Sequence, residues 1–374
     1  MIEKKLNEVV WFQEGPGVRN TQYTTNGVKL LNVANLVDGN IVLSNSSRYI
    51  SEEEAFGKYK HFLCDEGDLI IASSGIKVEY IDKKMGLVTK DMLPLCMNTS
   101  TIRFKVKDKN ELNLKYLMYY LKSEKYKTQI QKLITGSAQL NYGPSHLNKV
   151  HITMHPLNKQ EEIVKKLDQV TSILVKKQQK LEKYDLLVKS QFIEMFGDRF
   201  NREKIKLSEI SNAIIGLTYK PDNISDQGTI VLRSGNIQNN ELQIKTDVVR
   251  VDNIKIPDNK YIQENDILMC SRNGSARLVG KSCLINNIQE KMSFGAFMTV
   301  IRTPYPYFLQ SFFSSEYFKN QLTSVATTSV NQITTGMLNN YLVIKPTSEE
   351  ENQFADFVKH IDKLKLNDML MEVA

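Results

Sequence analysis

The sequence predicts an α+β fold written twice, with two similar globular modules each followed by a long helix in one 374-residue chain. Three observations carry that expectation. Short apolar-glycine strings recur in the same order about 200 residues apart. β-rich runs bounded by Gly, Asn and Ser clusters fill two separate regions. A strand, a proline and an amphipathic helix then close each region, VHITMHPLNKQEEIVKKLDQV at 150–170 and YLVIKPTSEEENQFADFVKHIDKL at 341–364.

The repeat is weak at any one place and persuasive in sum. LNEV (6–9) aligns with LSEI (207–210), and GVKLLNVANL (27–36) with GTIVLRSGNI (228–237), both offset by 201 and sharing Gly27/Gly228, Leu31/Leu232 and Asn35/Asn236. DEGDLIIAS (65–73) aligns with QENDILMCS (263–271) at 198, and Pro156 with Pro346 at 190. GSAQLNYGPSHLN (136–148) resembles TSVNQITTGMLN (328–339). The offset drifts one way, as shorter loops in the second copy would produce.

Within the modules, VKLLNVANL, DLIIAS, STIRFKV, TIVLRSGNI, NDILMC and FMTVIRT read as strands. LKYLMYYLKSEKYKTQIQKLI (114–134) and FLQSFFSSEYFKNQLTSV (308–325) read as one helix each. The expected boundaries are a module at 1–155, a helix at 156–198, a second module at 199–345 and a shorter helix at 346–374.

The first helix carries a seam. Ile163, Leu167, Val170, Leu174, Leu181, Tyr184 and Val188 fall at the 3.5-residue period of a coiled coil, continued by Met195. At about 1.5 Å per residue, a helix of that span is a rod of roughly 60 Å. One small domain cannot cover such a rod, so its seam needs a partner helix. Phe354, Phe357, Ile361, Leu364 and Met371 lie at compatible spacing in the second. Residues 157–196 hold eight Lys against six acids, and 346–374 three Lys against seven acids. The net charge of +7 therefore becomes +9 on the modules once the helices' +2 and −4 are removed, which is where a polyanion would meet it.

Cys64, Cys96, Cys270 and Cys283 stand far apart with no CxxC pair, which points to buried thiols in a reducing compartment. MIEKKLNEVVW lacks an apolar leader core, and no run approaches a membrane span, so a cytoplasmic protein with no membrane partner is expected. His151 and His155 alternate with apolar residues and lack acidic or cysteine partners, so solvent-facing histidines outweigh a metal site, and no metal is expected. The sequence shows no G-x-G-x-x-G loop after a strand, no P-loop and no Asn-Pro-Pro-aromatic motif, and PDN (257–259) with END (264–266) reads as a turn before a strand. No catalytic residue is expected.

Two variable modules, each followed by a proline-led helix, with PLNKQEEIVKKLD opening the first helix and FIEMFGD closing it, resemble the specificity subunit of a Type I restriction-modification system. ENQFADFVKHIDKL is similar to that family's C-terminal repeat. The resemblance implies two target-recognition domains, each reading one half of a split sequence in double-stranded DNA. It also implies that the helices pack as an antiparallel coiled coil that sets the gap, giving the copies a pseudo-two-fold relation. Methyltransferase subunits would dock near the helices, and a translocase-nuclease subunit can join them. No cofactor is expected in this chain; S-adenosylmethionine belongs on the methyltransferase. Where the family often has Glu-Gln after the proline, this chain has Lys159-Gln160 and Glu350-Glu351. A coiled-coil scaffold without a DNA role is the competing reading.

Recognition requires phosphate contacts for affinity and base-edge contacts for specificity, which favours polar residues in glycine-flanked loops. In the first module these are Arg19, Asn20, Tyr23, Ser74, Lys77, Gln139 and Asn141. In the second they are Tyr219, Lys220, Arg233, Ser234, Arg272, Asn273, Arg277, Asn331 and Gln332.

Overall fold

A computed structural model describes residues 1–134, 141–201, 204–244, 248–325 and 331–370, and the chain divides into two compact units, Met1–Leu174 and Val175–Ala374. Gln139 and Met371 lie outside the described residues.

In the first unit, Leu69–Ala72 is buried at every position, as expected of a strand covered on both faces. It lies inside a four-stranded antiparallel sheet in the order Val10–Glu14, Thr101–Val106, Leu69–Ala72, Met85–Leu87. A second sheet runs Tyr49–Ile50, Val28–Leu31, Leu95–Met97, the last pair parallel. Ile2–Lys5 pairs antiparallel with His151–Met154 in register from Ile2↔Met154 to Lys5↔His151. That pairing ties the start of the chain to the strand that leads into the long helix.

The second unit repeats this plan. Its antiparallel sheet runs Asn212–Ile215, Met298–Arg302, Ile267–Cys270, Ser282–Leu284, again with a fully buried inner strand. Thr229–Leu232 runs parallel to Met292–Phe294, as Val28–Leu31 does to Leu95–Met97. Ile205–Lys206 pairs with Leu342–Val343.

The shared residues have shared reasons. Gly27 and Gly228 have φ of +115° and +94°, and a Cβ there would stand 2.2 and 2.3 Å from the carbonyl oxygens of Ile50 and Val251. Only glycine fits both constraints. Asn35 and Asn236 are buried loop clamps. Asn35 Oδ1 accepts from the Asn32 N–H at 2.9 Å and its Nδ2 donates to the Val42 carbonyl at 3.0 Å; Asn236 does the same with Arg233 and Gln243 at 2.8 and 3.1 Å. Buried Asp68 pairs with Arg103, and Asp266 with Arg302, while each carboxylate also caps the turn before its strand at 2.8 Å. All four cysteines are free and buried, and burial pushes the Cys64, Cys96 and Cys283 thiols up to about 12.

Two expected helices are each two. Leu114–Lys122 ends at Ser123, which then caps Glu124–Leu133, its Oγ accepting from the Tyr126 N–H at 3.3 Å. Ser315 stands likewise between Pro306–Ser314 and Glu316–Val325. A serine hydroxyl can close one helix and open the next because it replaces a backbone partner at the cap. Apolar spacing carries no trace of that break.

The long helix spans Leu157–Phe196 and the shorter one Ser348–Leu370. In the first unit, Ile163 and Val164 pack on the core, and Asp168 accepts from Lys115 Nζ at 2.7 Å and from the Tyr119 hydroxyl at 2.8 Å. Leu167, Val170 and Leu174 are 37, 53 and 54% exposed, so the expected seam is not continuous along the helix. In the second unit the helices run antiparallel. Lys180 and Tyr184 meet Asp368 at 2.8 and 2.9 Å, Asp185 meets Lys365 at 2.6 Å, and Phe192 meets Phe354 with ring centres 5.9 Å apart. Leu181, Tyr184, Val188, Phe357 and Leu364 are half-buried, and Phe354 and Ile361 are buried. At its inner end the buried face centres on Phe192 and Phe196, because helix periodicity of 3.6 brings those rings onto the module core.

Candidate nucleic-acid interface

The buried frame described above presents loops that carry several of the sequence-selected polar residues. In the second unit three loops converge. Arg233 and Ser234 follow Thr229–Leu232 and are fixed by the Asn236 clamp. Arg272 and Asn273 follow Ile267–Cys270, and Arg272 forms an isolated antiparallel bridge with Gln332. The Asn273 N–H donates to the Asn331 carbonyl at 3.2 Å, Asn273 Nδ2 donates to Ser234 Oγ at 3.2 Å, and Asn331 Nδ2 to the Gly274 carbonyl at 3.2 Å. Five sequence-selected residues from segments about 40 to 100 positions apart therefore become neighbours.

The first unit repeats the arrangement with other side chains. Ser74 bridges Asn141, and the Tyr142 N–H donates to the Ser73 carbonyl at 3.0 Å, just as the Ile333 N–H donates to the Ser271 carbonyl at 2.7 Å. Lys77 lines an open cavity of about 620 Å³ with Tyr80, Lys83 and Lys84, which concentrates ammonium groups beside the Ser74 bridge. Tyr23 is half-buried, its ring under the Arg48 guanidinium at 5.3 Å and its hydroxyl accepting from Asn98 Nδ2 at 3.4 Å.

Other selected residues stay separate. Arg19 and Asn20 are exposed at a 3-10 turn that binds Gln22 through the Arg19 N–H, and Lys220 is exposed beside Asn223. Arg277 is exposed in the turn Ala276–Leu278. Tyr219 is half-buried against the small cluster of Leu217, Val231, Val251 and Ile256, so part of its ring serves packing. Among the described residues, no hydrogen bond joins Arg19, Asn20, Lys220 or Arg277 to the bridged loops.

The sequence reading missed Phe297 and Arg48. Phe297 is 58% exposed, and the Arg272 guanidinium lies over its ring at 5.2 Å. Its signal was available as an aromatic in the glycine-led turn FGAFM, but it is hidden by the strand FMTVIRT that it introduces.

Among the described residues there is no cluster of three metal-binding side chains, and no helix is long and apolar enough to cross a membrane. Residues 3–183 match the family of type I restriction modification DNA specificity domains. Over 186 residues the chain is 27% identical to the type I restriction enzyme MjaVIII specificity subunit of Methanocaldococcus jannaschii, covering 48% of this chain and 42% of that protein. The matched part thus spans less than half the length of that relative. The fold extends further. The S subunit of the type I restriction-modification system of M. genitalium superposes with a TM-score of 0.52 at 14% identity, over 99% of this chain and 91% of that one. A chain from a type I R-M system, solved to explain complex assembly and conformational transition, superposes at 0.54 with 15% identity, over 100 and 93%. The chain is thus similar to the type I restriction-modification DNA specificity family through residues 3–183, and to its solved members in fold.

Proposed function

We propose that this chain is the noncatalytic DNA-recognition subunit of a type I restriction-modification complex. Residues 1–155 and 199–345 each read one half of a bipartite target in double-stranded DNA. The helices at 156–198 and 346–374 set the spacing and dock the methyltransferase subunits, which bring S-adenosylmethionine. A translocase-nuclease subunit completes the assembly when cleavage is required.

The observation that carries this reading is the pair of bridged loops, Ser74–Asn141 and Arg272–Gln332, at corresponding places beside two four-stranded sheets of the same strand order. The frame is repeated in detail while the loop side chains differ. That is what two readers of unlike half-sites require, and a scaffold has no need of it.

The test is a map of methylated adenines in host genomes with and without the gene. Loss of one split motif with a fixed gap is the expected result. An unchanged map in cells that hold an active methyltransferase partner would favour the scaffold reading.

A further inference from the structure

We propose that the second unit reads a guanine through Arg272, and that the exposed ring of Phe297 is the platform holding its guanidinium. The inference rests on the DNA-recognition reading above.

The arginines of the chain divide by commitment. Arg103 pairs with Asp68, Arg302 with Asp266, Arg199 with Glu350 and Arg250 with Glu290. Arg272 has no ion pair among the described residues and is exposed. Its backbone, by contrast, is held on two sides. The Arg272 N–H donates to the Phe297 carbonyl at 3.1 Å, beside the Ser271 N–H at 2.9 Å, and the strand bridge to Gln332 fixes the other side. Arg277, also exposed, has neither a bridge nor a ring beneath it among the described residues.

Phe297 is out of place as a core residue. The four residues after it, Met298 to Ile301, are buried, whereas its own ring is 58% exposed. The turn that lifts it is closed by the Met298 N–H on the Gly295 carbonyl at 2.8 Å. A guanidinium 5.2 Å above the ring centre is restricted by stacking and cation–π attraction, so its planar fork is pre-set. A fork of parallel donors matches the O6 and N7 acceptors of guanine in the major groove, and it meets a donor at N6 of adenine. The neighbouring Asn273 amide, the natural reader of adenine, is already spent on Ser234.

Among the described residues, the first unit has no such device. Ser74 and Ser100 occupy the places of Arg272 and Phe297, with the Ser73 N–H donating to the Ser100 carbonyl at 2.8 Å. The guanine is therefore assigned to the half-site of the second unit alone.

The experiment is selection of bound duplexes from a random DNA library by the full chain and by its R272A, R272K, F297A, F297L and F297Y variants, each checked for an unchanged melting transition. The full chain should enrich a two-part motif with a guanine in one half. R272A should lower the preference for that base by roughly five- to 150-fold and leave the other half intact. R272K should lose most of the same preference while keeping affinity. F297A and F297L should weaken it at that one position, with F297Y restoring it. A guanine preference that survives R272A overturns the proposal, as does a uniform loss of affinity on all sequences, which marks a phosphate contact. Uniform loss in F297A with no change in base preference removes Phe297 as a platform. Enrichment of no motif by the unaltered chain is a different failure, that of the DNA-recognition reading itself.

Discussion

Gln160 and Glu351 occupy the same place in the two copies, the first turn of each long helix, and bond differently. Gln160 Oε1 accepts from the Asn113 N–H at 2.9 Å while its Nε2 donates to the Glu111 and His155 carbonyls, both at 2.8 Å. Glu351 instead accepts two N–H groups, from Tyr307 at 2.9 Å and Phe308 at 3.1 Å, at the start of Pro306–Ser314. An amide can donate and a carboxylate cannot, so the two residues are not interchangeable. Gln160→Glu and Glu351→Gln should each cost about 1–3 kcal/mol by leaving buried polar groups unmatched, as read from urea midpoints. Midpoints for both swaps equal to that of the unaltered chain would contradict this account. Burial also pushes the Glu351 carboxyl up from 4.5 to about 7, against its two N–H donors. The native state then keeps a proton that the unfolded chain has released. This group's contribution is full below about pH 4.5 and declines as pH rises through about 7. The midpoint of the unaltered chain should therefore fall more than that of Glu351→Gln between about pH 5 and pH 8. A larger fall in the variant would reverse the sign and sink the argument. This difference was visible in the sequence only as a departure from Glu-Gln; which donors and acceptors surround each side chain depends on loops that approach from far along the chain.

At the scale of elements, the helix pair is held more by rings than by charge. Lys180–Asp368 has the sense of the helices' opposite net charges and Lys365–Asp185 the reverse sense, and both pairs lie at the surface where screening leaves them weak. Phe192, Phe196 and Phe354 are buried with Phe308, in ring contacts of 4.9 to 5.9 Å. Phe354→Ala should cost about 3–5 kcal/mol, whereas Asp368→Asn should leave the denaturation midpoint nearly unchanged. The reverse order in the two variants would show that charge holds the helices. Periodicity revealed both helices and most inner strands, because burying one face leaves a period in the sequence. It did not reveal the breaks at Ser123 and Ser315, where one hydroxyl decides, nor the exposed stretch at Leu167, Val170 and Leu174. An apolar seam states what a helix can bury, and the partner's reach decides how much of it is buried.

Across the whole molecule, the duplication is the most legible feature. Short strings offset by about 200 residues reappear as the same four-stranded sheet order, the same positive-φ glycines and the same asparagine clamps. The candidate reading loops were legible in type and only partly in membership. Glycine-flanked polar residues were selected one by one, and folding joined Ser234, Arg272, Asn273, Asn331 and Gln332 while leaving Arg277 and Lys220 aside. Phe297 escaped because exposure of an aromatic at a strand entrance depends on the turn that lifts it. The central claim is that each copy reads its own half of one DNA target. Its most direct test replaces residues 1–155 with the corresponding module of a type I specificity-family member and maps methylated adenines in the host. One half of the motif should change while the other half and the gap stay as they were. A change in both halves, or in the gap alone, would contradict the account.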